Sequence, residues 1–275
     1  MQATMTTDAV AVRPPAGGSV LGATIASEAT KLRSVRSTVW TLVVTLVLTV
    51  GLGALFSFAV VSRWDRLSLH ERAILDPALT SLNGLFLAQL AIGVLGVLVI
   101  SSEYGTGMIR TTLAAVPQRR AVLAAKVVVF AAAAFVVSLV ACLGAFLVGQ
   151  TLLAGKHVGI SLGDPGALRA VFGAAVFLTA VGLLGLAFGT LLRRTAGAIS
   201  ALVALVLVLP LLSNALPSPW NTDVAKYLPS GAGRALFAVR HTSDLLRPTA
   251  GLVLLVAYVA VALVVAGVAL VRRDA

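Results

Sequence analysis

Six long stretches of the sequence contain no charged residue, and no other feature constrains the fold as strongly. Each stretch is at least as long as the run of about 20 apolar residues that a helix needs to cross a bilayer core. The predicted spans are residues 38–62, 78–102, 127–149, 170–192, 195–215 and 248–271. The sequence therefore predicts an all-α integral membrane protein with six transmembrane helices.

The composition agrees with a membrane protein and excludes most soluble classes. Hydrophobic residues make up 59% of the chain and charged residues only 11%, whereas a soluble domain has about 25% charged residues. The net charge of +11 does not indicate a nucleic-acid partner, because the basic residues lie in short clusters between apolar stretches. Such clusters are typical of signals that orient a protein in the bilayer.

The distribution of Lys and Arg predicts the orientation. If the N-terminus is cytosolic, the inner segments hold 12 of these residues and the outer loops hold 9. This bias favours both termini in the cytosol. Arginine greatly outnumbers lysine, which is typical of a GC-rich bacterial genome, so we expect a bacterial cell membrane.

The N-terminal region divides into a tail and a short helix. Residues 1–20 contain two prolines and a glycine pair and are predicted to be a disordered cytosolic tail. They lack the apolar region of a signal peptide. Residues 21–275 then form the six-span domain. Within it, Leu21, Ile25, Ala29 and Leu32 repeat at helical spacing, which predicts an interfacial helix before the first span.

The segment from Ser101 to Lys126 lies between the second and third spans. Its pattern predicts a short amphipathic helix followed by a turn at Pro117. A helical wheel places Glu103 and Arg110 together on its polar half. The apolar half consists of Tyr104, Met108, Ile109, Thr112, Leu113 and Val116. Two interpretations stay open from these residues alone: a helix that rests on anionic lipid, or a docking site for a cytosolic protein.

The same segment resembles the ABC type-2 permease family. The resemblance lies in the run EYGTGMIR from Glu103 to Arg110, then Pro117-x-Arg119, then Ala125-Lys126 at the start of a span. The residues from Glu28 to Ser34 are similar to the helix that precedes the first span in that family. The Tyr227-Leu228-Pro229 stretch is similar to its outer loop. In layout, the resemblance extends over the whole chain.

The resemblance implies a mechanism and partners. In such permeases a short cytosolic coupling helix between spans two and three fits a cleft on a separate ATPase subunit. Carried over, the ATPase-coupling residues would be Glu103, Tyr104, Met108, Ile109, Arg110 and Leu113. The interfacial helix would contact the ATPase through Glu28, Lys31 and Arg33.

The family also implies a second permease chain, identical or not, because six spans are half of a transporter. ATP and Mg²⁺ would be bound by the partner ATPase subunits. The implied cargo is an amphipathic or hydrophobic drug, antibiotic or lipid-like molecule moved outward.

The sequence contains no residues expected to carry catalysis. It lacks the G-x-x-x-x-G-K-[ST] phosphate-binding motif, so the chain is expected not to be an ATPase and to hold no cofactor. The three histidines fall in separate loops without metal-ligand spacing, so no metal site is expected. A G-x-S-x-G match at Gly159–Gly163 falls between two predicted helices, whereas a hydrolase needs it on a strand-to-helix turn.

A chain with six spans is compatible with three functional classes: the permease subunit of an ATP-driven exporter, an ion-coupled carrier that works alone, and a membrane-embedded enzyme. Carriers commonly keep ionisable groups inside the membrane, and the six stretches contain none. Among polar residues in or beside the spans, Asn83, Gln89 and Asn214 are candidates for a substrate path, with hydrogen bonding to a neighbouring helix or to their own backbone as the alternative. The G-x-x-x-G match at Gly185–Gly189 predicts close helix packing, within the subunit or across a dimer.

Overall fold

The computed structural model of the chain describes residues 20–116, 118–213, 215–240, 242 and 244–272, and these residues form helices and connecting turns without a strand. The long helices are α2 (Arg36–Arg63), α5 (Leu85–Gly105), α7 (Arg119–Ala154), α8 (Ala167–Leu192) and α13 (Pro248–Arg272). The shorter helices are α1 (Val20–Ser34), α3 (Leu69–Ile74), α4 (Pro77–Ser81), α6 (Met108–Ala115), α9 (Thr195–Val203), α10 (Leu209–Ser213), α11 (Trp220–Ala225) and α12 (Pro229–Phe237). The tail predicted over residues 1–20 falls outside the described residues, except that Val20 begins α1.

Six helical segments are long and apolar enough to cross a membrane, which confirms the predicted fold class. They are Arg36–Arg66, Leu85–Gly105, Arg119–Ala154, Ala167–Leu192, Thr195–Ser213 and Pro248–Arg272. A helix suits this environment because it satisfies its backbone hydrogen bonds internally, where no water is present to do so. We call the end of the bundle with α1, α6 and the α8–α9 turn the N-terminal face. The end with α3, α4, α11 and α12 is the opposite face.

Helix α8 is the centre of the bundle, and 72% of the residues in its most apolar 18-residue stretch are buried inside the protein. It packs most extensively against α5 and also contacts α7, α12 and α13. Glycines allow the α5 and α8 backbones to touch. A Cβ on Gly96 would lie 1.9 Å from the carbonyl oxygen of Gly182, and a Cβ on Gly185 would lie 2.1 Å from that of Gly93. The G-x-x-x-G match therefore serves a contact within the subunit.

The second predicted span differs from the observed one. The sequence predicts one helix from residue 78 to 102, but the structure divides this segment into α4 and α5 with a turn between them. The division follows from local chemistry, because Pro77 occupies the first position of α4 and Asp76 caps it. The Asp76 Oδ1 atom accepts hydrogen bonds from the backbone N–H groups of Ala78 at 2.9 Å and Leu79 at 3.1 Å.

The fifth span is the least regular. It consists of α9, a π-helical turn at Ala204–Val208 and α10. Pro210 lies two residues after that turn. Proline provides no backbone N–H and its ring crowds the preceding turn, so a local departure from α geometry is expected there.

The long loop before the last span packs against the bundle. Helix α12 contacts α8 and α13 and buries Pro229, Ala232, Gly233, Ala235, Leu236 and Phe237. A Cβ on Gly233 would lie 2.2 Å from the Phe177 ring. From α8, the Arg169 guanidinium donates to the carbonyl oxygens of Leu236 at 3.0 Å and Ala238 at 2.8 Å. These contacts hold the end of α12 on the protein.

The glycine contact between α5 and α8 leads to a prediction about folding. Gly96→Ala should lower the free energy of unfolding by about 1–3 kcal/mol, because its methyl group would overlap the Gly182 backbone. Thermal unfolding in detergent measures the change. Gly51→Ala in α2 is the matched control, because its methyl group would meet no atom within 4 Å and alanine is the better helix former. Equal stability of the two variants would contradict the packing argument.

Candidate functional site

The N-terminal face presents helix α6 beside the ends of α5 and α7. Helix α5 ends at Gly105, and Gly107 adopts a left-handed conformation with φ of 73° immediately before α6. Glycine tolerates this conformation without steric cost. The chain therefore turns sharply between the end of a span and a separate helix of eight residues.

This break corrects the helical wheel drawn from the sequence. The wheel assumed one helix through Glu103 and Arg110 and placed both on one polar face. In the structure Glu103 belongs to α5 and is 2% exposed, whereas Arg110 belongs to α6 and is exposed. The two side chains do not share a surface, because the left-handed Gly107 changes the chain direction between them.

The other residues of the predicted coupling segment also divide into inner and outer groups. Ile109 is 3% exposed and Leu113 is half-buried, so both pack inward. Met108, Arg110 and Thr111 are exposed. Tyr104, half-buried at the end of α5, lies under Arg193 of the α8–α9 turn, with the guanidinium carbon 5.3 Å from the ring centroid.

Behind α6 lie four charged residues that we call the charge cluster: Glu28, Lys31, Glu103 and Lys126. The Lys126 ammonium is 2.5 Å from Glu28 Oε2 and 2.9 Å from Glu103 Oε1. The Lys31 ammonium is 2.7 Å from Glu28 Oε1 and 3.2 Å from Glu103 Oε1. The cluster thus joins α1, α5 and α7 through two carboxylates and two ammonium groups of balanced charge.

The cluster is also connected to α6. Lys31 Nζ donates to Thr112 Oγ1 at 3.3 Å. The side chains of Glu28, Glu103 and Lys126 are 2–4% exposed, while that of Lys31 is 29% exposed. Three of the four charges are therefore buried, and the fourth reaches the boundary with α6.

Burial and pairing oppose each other at Glu28. Burial by itself would raise the pKa of its carboxyl group, but the ammonium groups of Lys126 and Lys31 outweigh burial and hold the pKa below its ordinary value. At Lys31, burial would lower the pKa, whereas the hydrogen bond to Glu28 and the charges of Glu103 and Glu28 raise it above the ordinary value. Both shifts indicate that the paired, ionised forms are favoured.

Outside the cluster, the N-terminal face is positively charged. Its described acidic residues are Glu28 and Glu103, and both are buried. Its exposed charges are Arg33, Arg36, Arg110, Arg120, Arg194 and Arg272. Arg119 is half-buried and donates to the carbonyl oxygen of Leu270 at 3.0 Å, which ties the start of α7 to α13. In the described part of this face, an approaching molecule therefore meets exposed arginines and no exposed carboxylate.

The residues suggested for a substrate path lie elsewhere. Asn83 and Gln89 both line a cleft of about 320 Å³ on the opposite face, between the start of α5, α8 and α12. Gln89 is buried, and its Nε2 donates to the carbonyl oxygen of Phe86 at 3.0 Å. Asn214 lies outside the described residues.

A family model described as "ABC-2 family transporter protein" matches residues 24–211 of the sequence, about two thirds of the chain. The chain belongs to the ABC-2 transporter family. The match includes most of α1, all of α6 and all four residues of the charge cluster, so these parts of the N-terminal face lie within the family region of this ABC-2 permease. Helices α12 and α13 lie beyond it. No curated protein matches the sequence.

The charge cluster of this ABC-2 permease was not expected from the sequence. The sequence places Glu103 on the polar half of an amphipathic helix, the resemblance gives Glu28 a contact with the ATPase, and Lys126 enters only through the cation count and the Ala125-Lys126 part of the resemblance. Glu103 and Lys126 lie one residue outside the uncharged stretches 78–102 and 127–149, and both belong to the longer helical segments Leu85–Gly105 and Arg119–Ala154. Extending the spans by one turn past the uncharged stretches would have included both residues.

Removal of one charge tests how strongly the cluster supports the fold. Lys126→Met should lower the free energy of unfolding by about 3–5 kcal/mol, because two buried carboxylates lose a partner. Denaturation in detergent measures the loss, and Lys126→Met/Glu103→Gln should recover part of it. Lys156→Met is the control, because its partner Asp65 is 83% exposed and such pairs contribute about 1 kcal/mol or less. Equal losses at Lys126 and Lys156 would refute the argument.

The lowered pKa of Glu28 predicts a dependence on pH. Its pairing stabilises the fold fully above the ordinary glutamate pKa of about 4.3, and this stabilisation is lost as the pH falls through the lower folded-state pKa. The wild type should therefore be more stable than Glu28→Gln at neutral pH, and the difference should shrink in acid. Melting temperatures of both proteins across the acid range measure it. A constant difference would show that ionisation of Glu28 is not involved.

Proposed function

We propose that this ABC-2 permease is the membrane subunit of an ATP-driven exporter, and that a separate ATPase subunit binds its N-terminal face. The observation that carries the proposal is the exposed helix α6, which follows a sharp turn and rests on the charge cluster. Its outer residues Met108, Arg110 and Thr111 are free to contact a partner. Its inner residue Ile109 is buried, which fixes the helix to the bundle.

The proposed orientation places the N-terminal face, and with it both termini, in the cytosol of a bacterial cell. The larger share of Lys and Arg in the inner segments supports this orientation. The exposed arginines of that face, without exposed acidic residues among its described part, support it further. An ATPase that uses cytosolic ATP and Mg²⁺ would then meet α6.

The charge cluster connects α6 to the spans. A displacement of α6 by the ATPase acts directly on α5 through the short turn at Gly107, and on Lys31 through Thr112. Because Lys31, Glu28, Glu103 and Lys126 bind one another, α1, α5 and α7 would move as one unit. ATP binding would then favour one arrangement of the spans through contacts that differ between the two states.

This geometry assigns different roles to the residues suggested by the family resemblance. Met108, Arg110 and Arg33 are exposed and suited to direct contact with the ATPase. Ile109, Leu113 and Tyr104 are suited to holding α6 and its neighbours in place. Glu103, Glu28 and Lys31 would act as positioning residues behind the contact surface, because their charges are directed to one another.

The complete transporter would contain two permease chains and two ATPase subunits, since six spans supply half of a membrane pathway. The proposed cargo is an amphipathic or hydrophobic molecule, such as a drug, an antibiotic or a lipid-like compound. The cleft that contains Asn83 and Gln89 supports such a cargo, because its walls combine polar and aromatic side chains.

A second candidate function is an ion-coupled carrier without an ATPase, and the charge cluster is the observation that favours it. Ionisable groups at membrane depth serve as ion or proton relays in carriers. Here, however, two carboxylates are balanced by two ammonium groups at one end of the bundle. Such a balanced set fits a structural joint better than a site that loads and releases an ion.

Arg110→Glu tests the proposed docking surface. The substitution should abolish co-purification of an ABC-type ATPase, identified by mass spectrometry after mild detergent extraction, because the exposed charge changes sign at the contact. The protein should still insert and fold, since Arg110 makes no packing contact in the core.

Arg247→Glu is the control for the Arg110 experiment, because it reverses an exposed arginine on the opposite face. It should leave ATPase co-purification unchanged. Co-purification that survives Arg110→Glu would identify α6 as a helix that rests on lipid. The absence of an ATPase from the wild-type sample, with the chain folded, would favour the carrier.

A further inference from the structure

The cleft on the opposite face has features that specify a ligand. Its volume of about 320 Å³ lies in the range of small-molecule sites. One wall comes from Asn83 in the α4–α5 turn and from Phe86 and Gln89 at the start of α5, and another from Phe177 of α8. Since Gln89 is about one turn inside α5, the cleft lies at the outer end of a span, where a membrane meets water.

Helix α12 forms the charged side of the cleft. Ser230 and Arg234 are four residues apart, so they share a face of this helix, and Phe237 extends the same face. No side chain caps the N-terminus of α12, and its first turn contains no acidic residue. The positive end of the helix and the Arg234 guanidinium therefore both attract a nearby anion.

The Arg234 guanidinium is available for a ligand. It is exposed at the cleft, and it makes no ion pair or hydrogen bond with any other residue that the structure describes. The acidic residue in the cleft wall, Asp76, accepts hydrogen bonds from other groups through both carboxylate oxygens. Its Oδ1 accepts from Ala78 and Leu79, and its Oδ2 accepts from the N–H groups of Val239 and Arg240, both at 2.8 Å.

The rest of the cleft is suited to an apolar chain with a polar end. The Phe86 side chain is 57% exposed, and Phe177 and Phe237 pack with ring centroids 5.8 Å apart. At the inner wall, the buried Gln89 Oε1 has no hydrogen-bond partner among the described residues. A buried acceptor without a partner is unfavourable, so water or a donor group on a ligand would stabilise it.

We infer that this cleft binds a free anionic amphiphile, with its carboxylate or phosphate group on Arg234 and the N-terminus of α12 and its apolar chain against Phe86. An unpaired arginine selects the anion, because guanidinium groups bind carboxylates and phosphates through charge-assisted hydrogen bonds. The aromatic wall selects the chain. The inference rests on the proposed function in one respect, namely that the bound amphiphile is the exported cargo.

The test is a binding measurement on the full chain in nanodiscs of phosphatidylcholine, without ATPase or ATP. A dansyl-labelled fatty acid reports occupancy, and unlabelled amphiphiles with the same dodecyl chain compete with it. Dodecanoate and dodecyl phosphate should displace the probe, whereas dodecyltrimethylammonium should need at least about tenfold more. Equal displacement by the cation, or no saturable binding, would overturn the inference.

Matched arginine variants locate the site. Arg234→Gln should weaken dodecanoate binding about tenfold, as expected from the loss of one charge-assisted contact. Arg234→Lys should retain most of the affinity because it keeps the charge. Arg247→Gln, which removes an exposed arginine outside the cleft, should have no effect. Equal weakening by Arg234→Gln and Arg247→Gln would show general surface attraction and overturn the assignment.

Two further comparisons separate the sources of the anion and the two proposals. Nanodiscs that include phosphatidylglycerol should leave dodecanoate binding unchanged; displacement of the probe by this lipid would assign the site to membrane phospholipid instead. If the chain co-purifies an ATPase but does not bind dodecanoate, the ligand inference fails and the exporter proposal stands. If the chain binds dodecanoate but co-purifies no ATPase, the ligand inference is supported and the exporter proposal fails.

Discussion

The direct contact between the α5 and α8 backbones is the interaction on which the rest of the structure depends. A Cβ on Gly96 would overlap the Gly182 backbone and a Cβ on Gly185 would overlap the Gly93 backbone, so the two helices touch without room for side chains. In lipid, helices gain little from hydrophobic association, so close packing of small residues supplies much of the attraction between them. The resulting pair fixes the centre of the bundle, and the other helices pack around it.

Helix α8 also connects the two functional regions. At its first turn, Arg169 binds the carbonyl oxygens at the end of α12, and further along Phe177 forms a wall of the cleft. Just past its other end, Arg193 lies over Tyr104 near the turn into α6. One end of α8 therefore contacts α12, which holds the proposed ligand, and its other end lies beside the end of α5 that leads into α6. This arrangement provides a physical link between the two faces.

Charges at the two faces are used differently. On the N-terminal face the described acidic residues are buried with lysines, and the arginines remain on the surface. On the opposite face, Asp76 is buried against four backbone N–H groups, which leaves Arg234 unpaired beside a cleft of polar and aromatic side chains. In both places buried carboxylates organise the backbone or neighbouring helices, and exposed arginines are left for partners outside the chain.

The sequence by itself determined the six spans and the family, because uncharged apolar runs of this length and the EYGTGMIR segment depend only on local order along the chain. It also predicted a short helix between the second and third spans, where the structure has α6 (Met108–Ala115). The tertiary structure alone decided that Glu28, Glu103 and Lys126 meet, because they come from three helices separated by up to 98 positions. It alone decided that the left-handed Gly107 separates Glu103 from Arg110, and that Arg234 reaches the cleft beside Gln89. Helical periodicity specifies which residues share a face of one helix, but it carries no information about which faces of different helices come together.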